Sequence, residues 1–135
     1  MNAAQEIKDK GLKVTTARVK VLDILQPDGL ALSHMELEPM LGKIDRITLY
    51  RILNDFEEVG LVHKVIDIDG VTRFALCKHN CTTHHHNDNH LHFNCTACHK
   101  MYCMDNLPVT AVNLPKGFKA TGQSTIIYGL CSGCN

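Results

Sequence analysis

The N-terminal half of the chain carries apolar residues at helical spacing, in segments that begin at capping residues. Residues 15–26 place Val19, Leu22 and Leu25 on one face behind a threonine cap. Residues 33–41 open with Ser33 and Glu36, which form the S-x-x-E capping box. In the segment 45–60, which begins at an aspartate cap, the predicted apolar face consists of Ile47, Leu49, Ile52, Leu53 and Phe56. With a short polar helix at 2–10, the pattern predicts four helices.

A hairpin follows the helices. Residues 61–68 and 71–76 are rich in β-branched residues and flank Asp69-Gly70, which is a strong turn signal. Capped helices followed by a hairpin are typical of a winged helix-turn-helix domain. Further on, residues 90–95, 100–104 and 120–130 predict three short strands, and two prolines between them keep any helix there short. The fold class predicted is therefore α+β.

Composition divides the chain near residue 78. All five glutamates lie at or before Glu58, whereas six of the seven cysteines and seven of the nine histidines lie after residue 78. We therefore predict a winged-helix DNA-binding domain at 1–78 and a metal-rich domain at 79–135, with a hinge at about 77–90. The formal net charge of zero neither favours nor excludes a polyanionic partner.

The location expected from the sequence is the cytoplasm. The N-terminus has no apolar run after its charged residues, so it does not resemble a secretory signal. No segment approaches the roughly 18 apolar residues that a membrane span needs. Because cysteines stay reduced in the cytoplasm, these cysteines are expected to bind metal rather than to form disulfides.

Two C-x-x-C pairs, Cys95 with Cys98 and Cys131 with Cys134, match a tetrahedral four-cysteine zinc site. The alternative is two redox-active pairs. Four thiolates leave no open coordination position, so we predict a structural zinc that ties the end of the chain to the first strand of the small domain.

A second group of metal-binding side chains remains. His90 and His92 are two apart on a predicted strand and share one face. Cys77 follows the second hairpin strand and His63 begins the first, so antiparallel pairing brings them together. These four residues form a second tetrahedral set, which would bridge the two domains as a regulatory site. Read singly, His63 could be an ordinary surface histidine. Further candidate ligands are Cys81, His84, His85, His86 and Cys103.

The candidate DNA contacts lie in two places. A basic patch, opposed by Asp9 alone, consists of Lys8, Lys10, Lys13, Arg18 and Lys20. On the fourth predicted helix, Thr48, Tyr50 and Arg51 lie off the apolar stripe. In a helix-turn-helix, such residues contact phosphates and base edges of double-stranded DNA. Outside that context, a charge run is simply a solvated face.

Four segments together resemble the ferric uptake regulator family of metal-dependent repressors: GLKVTTAR, DRITLYRILNDFEEVGLVHKV, HLHFNCTACHK and YGLCSGC. The resemblance implies a homodimer with a small α/β dimerisation domain, which binds AT-rich palindromic operators of metal-uptake genes. It also implies that Lys13 reaches a minor groove, that Tyr50 and Arg51 lie on the recognition helix, and that the four paired cysteines hold structural zinc.

Within this family, the bridging set resembles the sensing site of zinc uptake regulators. Cys103 stands where the family commonly has an acidic ligand, and thiolate with imidazole suits zinc better than iron(II). We therefore predict a zinc-responsive repressor that is not an enzyme and has no membrane partner or small-molecule substrate. The alternatives are an iron- or peroxide-sensing regulator with iron(II) at this site, a zinc buffer, and a zinc hydrolase.

Overall fold

A computed structural model describes residues 2–26, 29–77, 91–104, 107, 109, 112–121 and 123–135. Its helices are α1 (Ala3–Asp9), α2 (Thr16–Leu25), α3 (His34–Met40) and α4 (Arg46–Glu58). Its strands are β1 (Leu30–Ser33), β2 (Val62–Ile66), β3 (Thr72–Leu76), β4 (Leu91–Cys95), β5 (Met101–Met104) and β6 (Thr125–Gly129). The predicted α+β class is confirmed, as are the four helices and the hairpin of β2 and β3.

Every helix begins at a side chain that accepts a hydrogen bond from the amide three residues further on. These caps are Asn2, Thr15, Ser33 and Asp45. At α3 the full capping box forms, because the Glu36 carboxylate also accepts from the Ser33 amide at 2.9 Å. The bond from the Thr48 amide to Asp45 lowers the pKa of Asp45, so the cap is a carboxylate in the folded protein.

The main hydrophobic core lies between the four helices and the hairpin, and its buried members all fall between Ala3 and Phe74. One predicted core position is wrong, because Ile47 is 64% exposed. Successive helical residues are separated by about 100°, so Ile47 lies roughly 200° from Leu49, on the opposite face. Ile47 instead shares the solvent face of α4 with Tyr50 and Arg51.

One six-stranded sheet, in the order β2-β3-β1-β5-β4-β6, runs through both predicted domains. β1, which the sequence pattern did not predict, pairs antiparallel with β3 through Leu32 and Phe74 and with β5 through Ala31 and Met101. β4 and β6 are parallel. The helical half and the cysteine-rich half are therefore joined by main-chain hydrogen bonds through β1.

A second, smaller core lies at this junction. It consists of Ala31, Val65, Ala75 and Met101, with Cys103 and Ile126 packed against it. Strands β2 and β6 are the two edges of the sheet, yet their residues Val65 and Ile126 meet in this cluster. The sheet must therefore curl, so that the hairpin folds over β5, β4 and β6.

The boundary at residue 78 and the hinge at 77–90 stay predictions, since residues 78–90 lie outside the described part. In the ranges described, no helix is both long enough and apolar enough to cross a membrane.

Candidate metal centres and nucleic-acid interface

The parallel pairing of β4 and β6 brings the two C-x-x-C pairs together. Cys95 is opposite Gly129 in the register, so the chain turns into both cysteine loops at the same end of the sheet. The four sulfur atoms of Cys95, Cys98, Cys131 and Cys134 all lie within 4.8 Å of one another. The Cys98 and Cys131 sulfurs are 3.8 Å apart. A tetrahedron of zinc–sulfur bonds has edges of about 3.8 Å, so the residues fit a structural zinc ion.

Hydrogen bonds around this cluster favour thiolates. Cys95 is fully buried, and the amides of Cys98 and Cys131 approach its sulfur at 3.4 and 3.5 Å. These amides lower the pKa of Cys95 to about 5. The Tyr102 hydroxyl lowers the pKa of Cys131 in the same way, and its own pKa rises to about 12. The cluster is therefore arranged to hold negative charge, as a cation site requires.

The Cys134 thiol holds its proton firmly in the metal-free cluster. The hydrogen bond that the Cys134 thiol makes to Cys131 raises the pKa of Cys134 to about 12. A metal bound by all four sulfurs would displace that proton, so binding at this centre releases acid.

A second centre joins His63, His92 and Cys103, whose ligand atoms lie within 4.8 Å of one another. His92 and Cys103 face each other across the β4–β5 pairing, so their side chains share one face. The Nε2 atoms of His63 and His92 are 3.4 Å apart. Two imidazoles on one tetrahedral zinc have nitrogens about 3.3 Å apart, so this donor set also fits zinc.

The curl of the sheet makes this second centre. His63 lies on β2 and His92 on β4, with β3, β1 and β5 between them in the sheet order. In a flat sheet, four spacings of about 4.8 Å would place those strands roughly 19 Å apart. Because the sheet curls, the two imidazoles instead touch. His63 and His92 are buried, at 6% and 3% exposed, so the centre is shielded from bulk solvent.

Cys77 lies behind His63. Its sulfur is 3.8 Å from Nδ1, whereas the other ring nitrogen, Nε2, faces His92. A histidine that binds metal through one nitrogen commonly donates the N–H of the other to an acceptor. The geometry therefore suits Cys77 as the acceptor that fixes the tautomer of His63, and its predicted role as a direct ligand stays a prediction.

Of the other predicted ligands, one can be placed. Cys103 lies in the described part and joins the two histidines. His90, Cys81, His84, His85 and His86 lie outside the described residues, so their roles stay predictions.

The sequence model of the ferric uptake regulator family matches residues 9–115. This chain belongs to the ferric uptake regulator family. It is 32% identical to the ferric uptake regulation protein of Escherichia coli strain K12 over 93% of this chain and 86% of that one.

Solved structures agree with this membership. The Vibrio cholerae ferric uptake regulator is 27% identical, with a TM-score of 0.64 over 94% of this chain and 98% of that one. A zinc uptake regulator complexed with zinc and DNA superposes with a TM-score of 0.62 at 19% identity, over 96% and 87% of the two chains. The second likeness shows the shared fold. As a family member, this protein is a metal-dependent transcriptional regulator that binds DNA.

In this family member, α4 presents its predicted DNA contacts to solvent. Tyr50 is 48% exposed and Arg51 is exposed, whereas Thr48 is half-buried and donates its hydroxyl to the Asp45 cap at 2.9 Å. Lys13 is exposed on the loop before α2. Tyr50 and Arg51 are therefore available to a DNA groove, and Thr48 is partly engaged by its own helix.

Arg18, another predicted DNA contact, makes two hydrogen bonds within the protein. Its guanidinium donates to the Lys13 carbonyl at 2.6 Å and to Asp55 of α4 at 3.1 Å. Arg18 therefore joins α2 to α4 and holds the Lys13 loop, which makes it a support for the DNA-binding face. Its direct contact with DNA stays a prediction.

His34 is a supporting residue that the sequence pattern did not single out. Its ring stacks on Tyr50 with centroids 3.8 Å apart and planes 19° from parallel. His34 is buried in the first turn of α3, so the stack fixes the direction in which Tyr50 leaves α4. Only the helix-to-helix packing brings these two residues together, and no local pattern encodes it.

Proposed function

We propose that this regulator is a zinc-responsive repressor, which binds AT-rich palindromic operators of metal-uptake genes as a homodimer. The observation that carries the proposal is the second centre. His63 lies on the hairpin of the DNA-binding half, whereas His92 and Cys103 lie on β4 and β5. A metal held by these residues would bridge the two halves.

The bridging position supplies the mechanism. His63 is next to Val62, which belongs to the main core together with the α4 residues Leu49 and Leu53. Ligation of one ion by His63, His92 and Cys103 would therefore fix the angle between α4 and the β4–β5 strands. The ion selects the closed arrangement from those the metal-free protein samples. Metal and DNA then strengthen each other's binding by the same factor.

Donor chemistry supports zinc as the sensed ion. Two imidazole nitrogens and a thiolate form a soft set, which suits zinc better than the harder iron(II). The geometry of the two Nε2 atoms agrees with short zinc–nitrogen bonds. The solved zinc uptake regulator with zinc and DNA supports the proposal as a protein of the same fold. Iron(II) remains the alternative ion.

Exposed apolar side chains support the homodimer. In the described C-terminal part, they are Leu107, Val112, Leu114, Phe118, Ile127, Tyr128 and Leu130. Grouped large apolar residues on a surface are typical of interfaces. Two copies joined through this region would present two α4 helices, as a palindromic operator with two half-sites requires.

The test is a metal titration. The protein is stripped of weakly held metal with a chelator until one zinc per chain remains. Zinc, or iron(II) without oxygen, is then added at fixed salt while the anisotropy of a labelled AT-rich palindrome is followed. We expect zinc to activate binding at a far lower free concentration than iron(II). Activation by iron(II) alone would contradict the zinc proposal and favour the iron-sensing alternative.

Two variants separate a DNA-binding regulator from a zinc buffer. The double variant Tyr50→Ala, Arg51→Ala should lose metal-activated DNA binding and keep its metal content, because both side chains leave α4 on its exposed face. The matched control is Glu58→Ala, an exposed residue at the end of the same helix. Unchanged DNA binding in the double variant would show that α4 is not the recognition helix.

A further inference from the structure

Arg73, on β3, is a buried arginine whose four acceptors lie in three segments of the chain: the hairpin tip, residues 31–36 and the loop after Cys98. Its side chain is 7% exposed, and Nε donates to Asp67 at 2.8 Å. Nη1 donates to the Ala31 carbonyl at 3.1 Å and to Glu36 at 2.7 Å, and Nη2 donates to the His99 carbonyl at 2.8 Å. A planar guanidinium is suited to such a fork, because its donors point in fixed and different directions.

The first segment is the tip of the hairpin, which forms the wing of this fold. Asp67 accepts from the Asp69 and Val71 amides at 2.9 Å each, so its carboxylate shapes the turn while Arg73 holds it. A second bond fixes the same turn, because the Asn94 side chain on β4 accepts from the Ile68 amide at 3.2 Å. The wing tip is therefore bound to the metal-binding half.

The second segment is the four-cysteine loop. His99 directly follows Cys98 and has a left-handed backbone, with φ of 64°. This conformation is uncommon for a residue with a side chain, and it aims the His99 carbonyl at Arg73. The His99 amide donates to the Cys95 carbonyl at 3.0 Å, so the direction of the His99 carbonyl depends on how the cysteine loop is folded.

The third segment is the start of α3. Oε1 of Glu36 accepts both from the Ser33 amide and from Arg73, so one carboxylate oxygen serves the capping box and the arginine together. α3 also carries His34, whose ring stacks on Tyr50 of α4. A short chain of contacts therefore leads from the cysteine loop through Arg73 to the exposed face of α4.

From these contacts, we propose that Arg73 is a positioning residue that fastens the wing and α3 to the four-cysteine loop. The four-cysteine loop then does more than hold the end of the chain, because its geometry also fixes the position of the wing and α3 in the DNA-binding half. The contacts stand on the fold alone, and only the DNA measurement below rests on the proposed function.

The test replaces Arg73 by lysine, which keeps the charge beside Asp67 but cannot reach four acceptors. Hydrogen exchange is measured at the Ile68, Asp69 and Val71 amides, together with zinc per chain and DNA affinity with and without added metal. We expect these amides to exchange about tenfold faster relative to α4 amides. Metal activation of DNA binding should fall by about tenfold, while one zinc per chain is retained.

Two further variants make the test decisive. Glu36→Gln keeps a capping-box side chain but weakens the bond to Arg73, so it should show the same changes to a smaller degree, even if Arg73→Lys fails to fold. The matched control is Lys64→Gln. Lys64 lies on the neighbouring strand β2, and the substitution removes its ion pair with Glu57 of α4. We expect the control to behave as the unaltered protein.

Two outcomes would overturn the inference. One is a folded Arg73→Lys variant in which hydrogen exchange at the wing amides and the activation of DNA binding by metal are both unchanged. The other is exchange that rises by the same factor throughout the chain, which would indicate general destabilisation. If the unaltered protein shows no metal-activated DNA binding, the proposed function fails, and hydrogen exchange alone still decides the role of Arg73.

Discussion

At the scale of single residues, the two thiols at the second centre, those of Cys103 and Cys77, have different positions relative to the histidines. Cys103 lies with His63 and His92 as a third donor, whereas Cys77 contacts the far nitrogen of His63. The sequence pattern placed Cys77 in the tetrahedral set and gave Cys103 as a further candidate ligand, and the role of Cys77 as a direct ligand stays a prediction. The spacing of Cys77 after the hairpin could not show that His63 turns Nδ1 toward it and Nε2 toward β4.

Substitution of the two thiols should separate their roles. We expect Cys103→Ser to weaken regulatory zinc binding by more than about 100-fold, because a direct donor is lost, and Cys77→Ser to weaken it by about tenfold, as for loss of a supporting contact. Competition with a chromophoric chelator measures both. Each variant is the control for the other, and a larger effect of Cys77→Ser would make Cys77 the ligand.

At the scale of elements, the helices and the hairpin could be predicted because their signals are local. The caps at Thr15, Ser33 and Asp45 and the turn at Asp69-Gly70 depend on neighbouring residues alone. β1 could not be predicted in this way. It has four residues, and it is a strand only because β3 and β5 supply hydrogen bonds on both sides. The curl of the sheet is likewise set by packing between distant strands.

The wing turn should make stability depend on pH. Burial by itself would raise the pKa of Asp67, but the bonds from Arg73, Val71 and Asp69 outweigh it and lower the pKa below 3.8. A lowered pKa in the folded state stabilises the protein above that value, and the contribution is lost as pH falls through the folded pKa. The wing should therefore loosen in acid below about pH 4.

The variant Asp67→Asn tests this pH dependence. It should lower the free energy of unfolding near neutral pH by about 3 kcal/mol, because Arg73 is left without its buried carboxylate. Below about pH 4, the difference from the unaltered protein should shrink. Urea unfolding across this range is the measurement, with Asp69→Asn, an exposed position in the same turn, as the control. A difference that does not change with pH would contradict the assignment.

At the scale of the whole molecule, the helical half and the C-terminal strands are stabilised in different ways. The helical half has an apolar core between Ala3 and Phe74, whereas the smaller core at the junction has four buried members. β6 is half-buried or exposed along its length, so the C-terminal strands depend on the cysteine cluster that joins their ends. A metal that binds only the folded state supplies stability that the apolar contacts there do not.

Loss of one cysteine should therefore affect the two halves unequally. We expect Cys98→Ser to lose the tightly held zinc and to expose β4 and β6 amides to hydrogen exchange, while α2 and α4 amides remain protected. Exchange measured by mass spectrometry resolves the two regions. Thr96→Ser, in the same loop, is the control, since it keeps a hydroxyl for the bond to the Gly129 carbonyl. Equal loss of protection in both halves would show that they unfold as one unit.

The curl that buries His63 and His92 also bears on how fast the regulator responds. Both imidazoles are almost inaccessible, so an ion held between them leaves only when the hairpin lifts away from β4 and β5. Each opening breaks the contacts of the smaller core at the junction, so release of the ion is slow. Entry of an ion must use the same opening, because the same contacts bury the two imidazoles before the ion binds. We therefore expect a regulator that exchanges its metal slowly in both directions and so averages the metal supply over time instead of following brief changes.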